Sequence, residues 1–241
     1  MVLKIILSVV FAVLAFLLVS VLVVIISSLF VNGAKEYSVD SAYYRSLLYY
    51  STFFAVVFAR ITVKTSGLEK LPAGRFLLVG NHRSKFDPIL TWHVMRKQKL
   101  AYISKPSNFN IPAFGRIIRK CCFMSIDRDD PMNAARTINR AAKLMTDDEV
   151  SVAVYPEGTR NYGEGLLPFH NGVFRIAQKA GVPVVVVSVK GTEKIHMNYP
   201  LRRSRVEINV LDVIPPETVK TTRTNNIGDM VRETLLNDLE K

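Results

Sequence analysis

The sequence predicts an α/β domain built on a mixed, partly parallel sheet flanked by helices, with an N-terminal transmembrane helix and a membrane-interfacial helix ahead of it. Three observations carry this expectation. From Ile61 onward, short apolar runs alternate with stretches of helical period, the pattern of strands joined by crossover helices. Val182 to Val189, VPVVVVSV, is an unbroken β-branched run suited to a strand buried on both faces. From Ile5 to Val31 no residue is charged. The implied division is 1–35 for the membrane helix, 36–64 for an interfacial aromatic segment and 65–241 for the α/β domain.

Taken in order, the uncharged Ile5–Val31 stretch makes a helix of roughly 40 Å at 1.5 Å per residue, longer than a ~30 Å hydrocarbon core. A signal peptide has a much shorter apolar region, so a spanning or deeply embedded helix is the expectation. Charges do not orient it. Lys4 lies at one end, while Lys35, Glu36, Asp40 and Arg45 nearly cancel at the other. The next apolar stretch, Tyr43 to Val63, is rich in tyrosine and phenylalanine, and its uncharged core is too short to span. Its aromatics, flanked by Arg45 and Arg60, suit a helix at the lipid headgroups; a core helix of the following domain is the alternative.

A first strand is expected at Ile61–Thr65, then a turn-rich loop, GLEKLPAG. Phe76–Gly80 reads as a buried strand ending in a turn, and Asp87-Pro88 as a helix start with aspartate as the cap. A helix over Pro88–Met95 and a strand within Lys99–Ser104 follow. Asp130-Pro131 repeats the helix start, and Met132, Ala135, Ile138, Ala142 and Met145 form the expected core stripe. Ser151–Tyr155 reads as a strand, Phe174–Lys179 as a helix stopped by Gly181, and the region after Thr224 as a closing amphipathic helix.

In the 241 residues, lysine and arginine exceed aspartate and glutamate by 12, so partners bearing phosphate are expected: anionic lipid, coenzyme A or nucleic acid. No zinc-finger spacing, RNA-binding signature or long basic run supports nucleic acid. The two cysteines, Cys121 and Cys122, are adjacent and read as buried apolar filler rather than a disulfide. No cluster with metal-ligand spacing is visible.

The chemistry concentrates in FLLVGNHRSKFDP, Phe76–Pro88. His82 follows a strand end and Asp87 opens the next helix, where open α/β sheets place ligands. A histidine oriented by a carboxylate is an effective base near neutral pH. On spacing alone the pair reads equally well as a polar loop residue and a helix cap. NHRSKFD, however, resembles the NHxSxxD signature of the glycerophospholipid acyltransferases. Further blocks follow in that family's order: the run ending in Asp127-Arg128, then EGTR at Glu157–Arg160, then Pro183. The resemblance covers roughly Gly67 to Val213. The GxSxG elbow of serine hydrolases is absent.

What the resemblance implies is acyl transfer from acyl-CoA or acyl carrier protein to the free hydroxyl of 1-acylglycerol-3-phosphate, giving phosphatidic acid, with no bound cofactor. It assigns His82 as base and Asp87 as its orienting partner, supported by Asn81 and Ser84. It places Arg128, Glu157, Gly158, Thr159, Arg160 and Lys105 at the acceptor phosphate, with Glu157 bonding a hydroxyl or holding an arginine. Pro183 is tied to placing the acyl chain or donor. The sequence does not identify the oxyanion donors; backbone amides near Gly80 or Gly158 are candidates. His170 reads as a loop residue. Arg202, Arg203 and Arg205 read as a solvated face or as partners of the donor's nucleotide phosphates. Membrane lipids, lysophosphatidic acid and anionic phospholipids are the expected partners, nucleic acid is not, and the domain is expected at the cell membrane facing the cytoplasm. Glycerol-3-phosphate or other lysophospholipid acyltransfer, and a non-catalytic membrane-anchored lipid-binding protein, are the competing readings.

Overall fold

The computed structural model describes residues 1–127 and 129–240. Helix α1 (Val2–Leu29) turns almost all of its apolar side chains outward, including Leu7, Phe11, Leu14 and Leu18. By length and composition it can cross a membrane. It pairs with α2 (Ala42–Phe58) as a helical hairpin. Hydroxyls on apolar helices need partners, and here they find each other. Ser27 meets the Tyr43 hydroxyl at 2.7 Å, Ser20 meets that of Tyr50 at 3.0 Å, and Tyr44 donates to the Ser27 carbonyl.

Helix α2 does not use Arg45 as a headgroup contact, contrary to the expectation. The side chain is buried and pairs with Asp40 at 2.7 Å. It also donates to the Leu100 carbonyl at 3.0 Å and lies 4.6 Å from the centre of the Trp92 ring. The reason is helical phase. Arg45, Leu47 and Leu48 share the face turned to the domain, while Tyr43, Tyr50, Phe53 and Val57 point away from it. One helix therefore docks on the core and leaves an aromatic row uncovered.

The strands are β1 (Ile61–Ser66), β2 (Leu77–Gly80), β3 (Leu100–Ser104), β4 (Met124–Ser125), β5 (Ser151–Val154), β6 (Val184–Lys190) and β7 (Ser204–Ile214). They form one sheet in the order β1-β7-β6-β2-β5-β3-β4, parallel except where β7 runs against β6. This is the mixed, partly parallel sheet expected, and β1 straddles the boundary drawn at 64. Strand β6 is buried on both faces from Val184 to Val189, as its β-branched run requires. Helices α3 (Phe86–Val94), α4 (Phe114–Lys120), α5 (Pro131–Thr146), α6 (Arg175–Ala180), α7 (Ile195–Asn198), α8 (Pro216–Thr221) and α9 (Thr224–Leu239) complete the chain.

Two helical expectations shift. Asp130 caps α5, accepting from the Met132 and Asn133 amides. Of the expected core stripe, Ala142 and Met145 are buried and Ile138 packs against the core, while Met132 and Ala135 are exposed; Thr137, Ala141 and Leu144 complete the buried face. Helix α3 begins at Phe86, so Asp87 lies inside its first turn rather than at the cap.

The Arg45–Asp40 pair joins the hairpin to the domain with side-chain exposures of 6% and 3%. Asp40→Ala leaves a buried charge uncompensated and should cost about 3–5 kcal/mol, read as a lowered Tm in detergent; Asp40→Leu with Arg45→Met should restore most of it.

Candidate active site

Four parallel strands, β2, β5, β6 and β3, end at one edge of the sheet, and the loops after them build the site. Gly80 ends β2 where β6 passes so close that a Cβ would lie 2.7 Å from the Val187 carbonyl oxygen. Asn81 then extends the pairing with its side chain. Its amide donates to the Val189 carbonyl and accepts from the Val189 amide, both at 2.8 Å. His82 follows, stacked on Tyr155 with ring centroids 4.3 Å apart and planes within 11°.

His82 Nδ1 lies 2.8 Å from Asp87 Oδ2. That oxygen also accepts the Arg83 and Ser84 amides, each at 2.7 Å. The other, Oδ1, accepts the hydroxyl of Thr192, beyond the end of β6. Asp87 is 0% exposed, so its charge is stabilised by these donors rather than by water. The carboxylate folds back onto the loop before it instead of capping forward, which explains the early start of α3. With Nδ1 engaged, Nε2 of His82 has no protein partner among the described residues and is the nitrogen available to a ligand.

After β5, Gly158 takes φ 73° and donates its amide to the Tyr155 carbonyl at 2.9 Å. The Gly158 N–H, one candidate oxyanion donor, is thereby taken up in closing the turn. The expectation for Glu157 is corrected. It is buried, accepting the His82 amide at 2.9 Å through one oxygen and the Leu167 amide at 2.8 Å through the other. Its carboxylate splints two loops and does not line the cavity. Pro183 lies ahead of β6, at the end of the sheet opposite His82, with its carbonyl accepting the Leu77 amide. It lines no part of the site. Arg128 lies outside the described residues.

A cavity of about 610 Å³ opens at His82. Lys85, Lys105, Gly158, Thr159 and Arg160 border it, and Ser104 and Asn108 contribute polar groups. The rest of the lining is largely apolar, with Ile89, Trp92, Ile103, Phe114, Ile118 and Phe123, and Leu48 and Thr52 of α2 form part of the wall. One concave surface thus offers a base, a set of cations and an apolar trough leading to the hairpin. His170 is not among its lining residues.

Sequence reasoning missed Thr192 and Tyr155. Both had a signal: each follows the end of a buried strand, where this fold places ligands. Burial holds the Tyr155 hydroxyl well above its ordinary pKa, so the ring beneath His82 is a neutral platform.

The Acyltransferase family model matches residues 62–190, more than half of the chain, and the chain belongs to that family. It is 31% identical over 157 residues to the 1-acyl-sn-glycerol-3-phosphate acyltransferase of Haemophilus influenzae, covering 65% of this chain and 63% of that protein. It is 27% identical to the alpha enzyme of the same name from Bos taurus, covering 73% and 62%. The matched regions thus span less than two thirds of these relatives. In fold it is similar to the crystal structure of the 1-acyl-sn-glycerophosphate (LPA) acyltransferase PlsC from Thermotoga maritima. That match has a TM-score of 0.66 and 24% identity, covering 81% of this chain and 78% of that one.

Glu157→Gln replaces one acceptor with an NH₂ group facing a backbone N–H. It should destabilise the fold by about 1–3 kcal/mol in thermal unfolding, although nothing in the cavity changes. Thr192→Val, close in size, should cost about as much by leaving Asp87 Oδ1 short of a donor.

Proposed function

We propose that the chain is a membrane-bound 1-acylglycerol-3-phosphate O-acyltransferase, moving a fatty acyl group from acyl-CoA or acyl carrier protein to the acceptor's free hydroxyl. The observation that carries this reading is the His82–Asp87 pair, 2.8 Å apart, at a cavity lined by His82 together with cations and an apolar wall. The names of the relatives from Haemophilus influenzae and Bos taurus support the choice of acceptor.

In this mechanism Nε2 of His82 accepts the proton of the acceptor hydroxyl as its oxygen attacks the thioester carbonyl. Asp87, holding Nδ1–H, keeps the ring in the right tautomer and stabilises the imidazolium. The tetrahedral intermediate collapses by breaking the carbon–sulfur bond. The departing thiolate takes the proton from His82, leaving an ester and a free thiol. The acceptor is itself the nucleophile, so no serine or cysteine carries the acyl group. Burial raises the Cys121 and Cys122 thiols to about 12, which leaves them unsuited to that role. Arg160 and Lys105 hold the acceptor phosphate, and an acyl chain lies in the apolar trough toward α2. The α1–α2 hairpin holds the domain on the cytoplasmic face of the membrane.

The deciding experiment is acceptor-dependent thiol release from acyl-CoA and from acyl carrier protein, run with lysophosphatidic acid, glycerol-3-phosphate and other lysophospholipids. Turnover with lysophosphatidic acid supports the proposal; preference for another acceptor reassigns the substrate, and no turnover with any favours a lipid-binding protein. His82→Ala should lower the rate of the folded protein about 10²–10⁴-fold, with a smaller loss of stability because Asp87 Oδ2 keeps its two backbone donors. Asp87→Asn should lose rate and stability together, because an NH₂ group would face donors already in place.

For Arg160, Arg160→Lys keeps the charge but loses two-pronged phosphate binding. It should raise the acceptor KM and leave the donor KM unchanged. Unchanged acceptor kinetics would remove Arg160 from the site.

A further inference from the structure

The connection between β6 and β7 carries a surface that the chemistry above does not use. From Lys194 to Arg205 the chain reads KIHMNYPLRRSR, without one acidic residue. Ile195 is buried at the start of α7, and this anchor sends the following residues outward. Met197 is 74% exposed, Tyr199 54% and Leu201 85%, a crest of large apolar side chains on one short loop. Lys194, Arg203 and Arg205 line a depression of about 620 Å³ beside it, together with Thr62, Gly191 and Asn198. None of these cations, nor Arg202, forms a salt bridge among the described residues.

The crest is tied to the apolar hairpin. Arg60, just past the end of α2, donates to the carbonyls of Pro200 and Leu201 at 3.2 and 3.1 Å. Its own carbonyl accepts the Ser204 amide. The last turn of α2 exposes Val57 and Phe58, so the apolar surface continues from that helix to the loop. The loop enters β7 at the sheet edge where β2 and β6 end, the edge that carries His82.

We infer that Met197–Leu201 and the cations around it form a second membrane contact, distant in sequence from the hairpin, which docks on a bilayer rich in anionic phospholipid. Charge complementarity identifies the occupant. An apolar crest beside arginines and a lysine that form no salt bridge among the described residues matches acyl chains beneath anionic headgroups. Together, hairpin and crest set the tilt of the sheet and turn its His82 edge toward the lipid that supplies the acceptor. This last consequence rests on the proposed function; the contact itself does not.

The test uses the full chain with Leu201→Cys carrying an environment-sensitive nitrobenzoxadiazole label. Cys121 and Cys122 are buried and do not compete for it. A second labelled variant, Leu14→Cys, reports on α1. Both are reconstituted into vesicles of phosphatidylcholine alone, or of phosphatidylcholine and phosphatidylglycerol in equal parts, with brominated acyl chains as quencher. The expected result is a blue-shifted, quenched label at 201 in the mixed vesicles. Arg202→Gln and Arg203→Gln should each lower the docked-to-undocked ratio about fivefold, and added salt should do the same. A label at 201 that stays water-like while the one at 14 is quenched overturns this inference and leaves the hairpin reading standing. Quenching at 201 without quenching at 14 does the reverse. A shift at 201 that needs no lipid and follows protein concentration assigns the crest to a second copy of the chain, against the inference. So does a rise in the donor KM for Arg203→Gln with lipid quenching unchanged, which assigns the cations to the donor's phosphates.

Discussion

The site depends on one buried carboxylate. Asp87 is inaccessible to water, and an uncompensated charge there would not persist. It gathers donors from three places: the imidazole of His82, the amides of Arg83 and Ser84, and the hydroxyl of Thr192. Satisfying that charge fixes the loop after β2, the start of α3 and the turn after β6 in one arrangement. The histidine is consequently held at Nδ1 and left open at Nε2. The same requirement that stabilises the fold also orients the imidazole.

Around this centre the parallel strands direct several loops to one edge. Glu157 joins the loop after β5 to the loop after β2 through the His82 amide, and Asn161 adds its own amide to the His82 carbonyl. The EGTR segment is thus divided by function. Its glutamate is a buried splint, its glycine closes a turn, and its threonine and arginine face the cavity. A motif read as a single anion-binding unit resolves into framework and contact residues.

The apolar hairpin is built into the domain rather than appended to it. The Arg45 guanidinium, paired with Asp40 and facing the Trp92 ring, fixes α2 against the core. Leu48 and Thr52 of that helix complete the cavity wall. The docking of the apolar hairpin and the shape of the cavity therefore share one helix, so a substitution on its docked face affects both.

Much of this was legible in the sequence because it rests on local rules. The β-branched run of β6, the Asp130-Pro131 helix start, the long uncharged α1 and the NHRSKFD loop between strand and helix are settled by residues close in the chain. What escaped is what long-range contact decides. Asp87 Oδ1 takes its donor from Thr192, far along the chain and next to it only because β6 lies beside β2. Arg45 has the same identity at a headgroup or in a core; burial against Leu100 and Trp92 made it a core residue. The expected stripe of α5 faces the core at Ile138, Ala142 and Met145 but not at Met132 and Ala135, because periodicity gives a spacing and only packed neighbours decide how much of the helix is covered. By itself the sequence determined which elements form and which residues carry reactive groups. The tertiary structure decided which of those groups meet, because a charge in a low-dielectric interior draws its partners from wherever the chain has brought them.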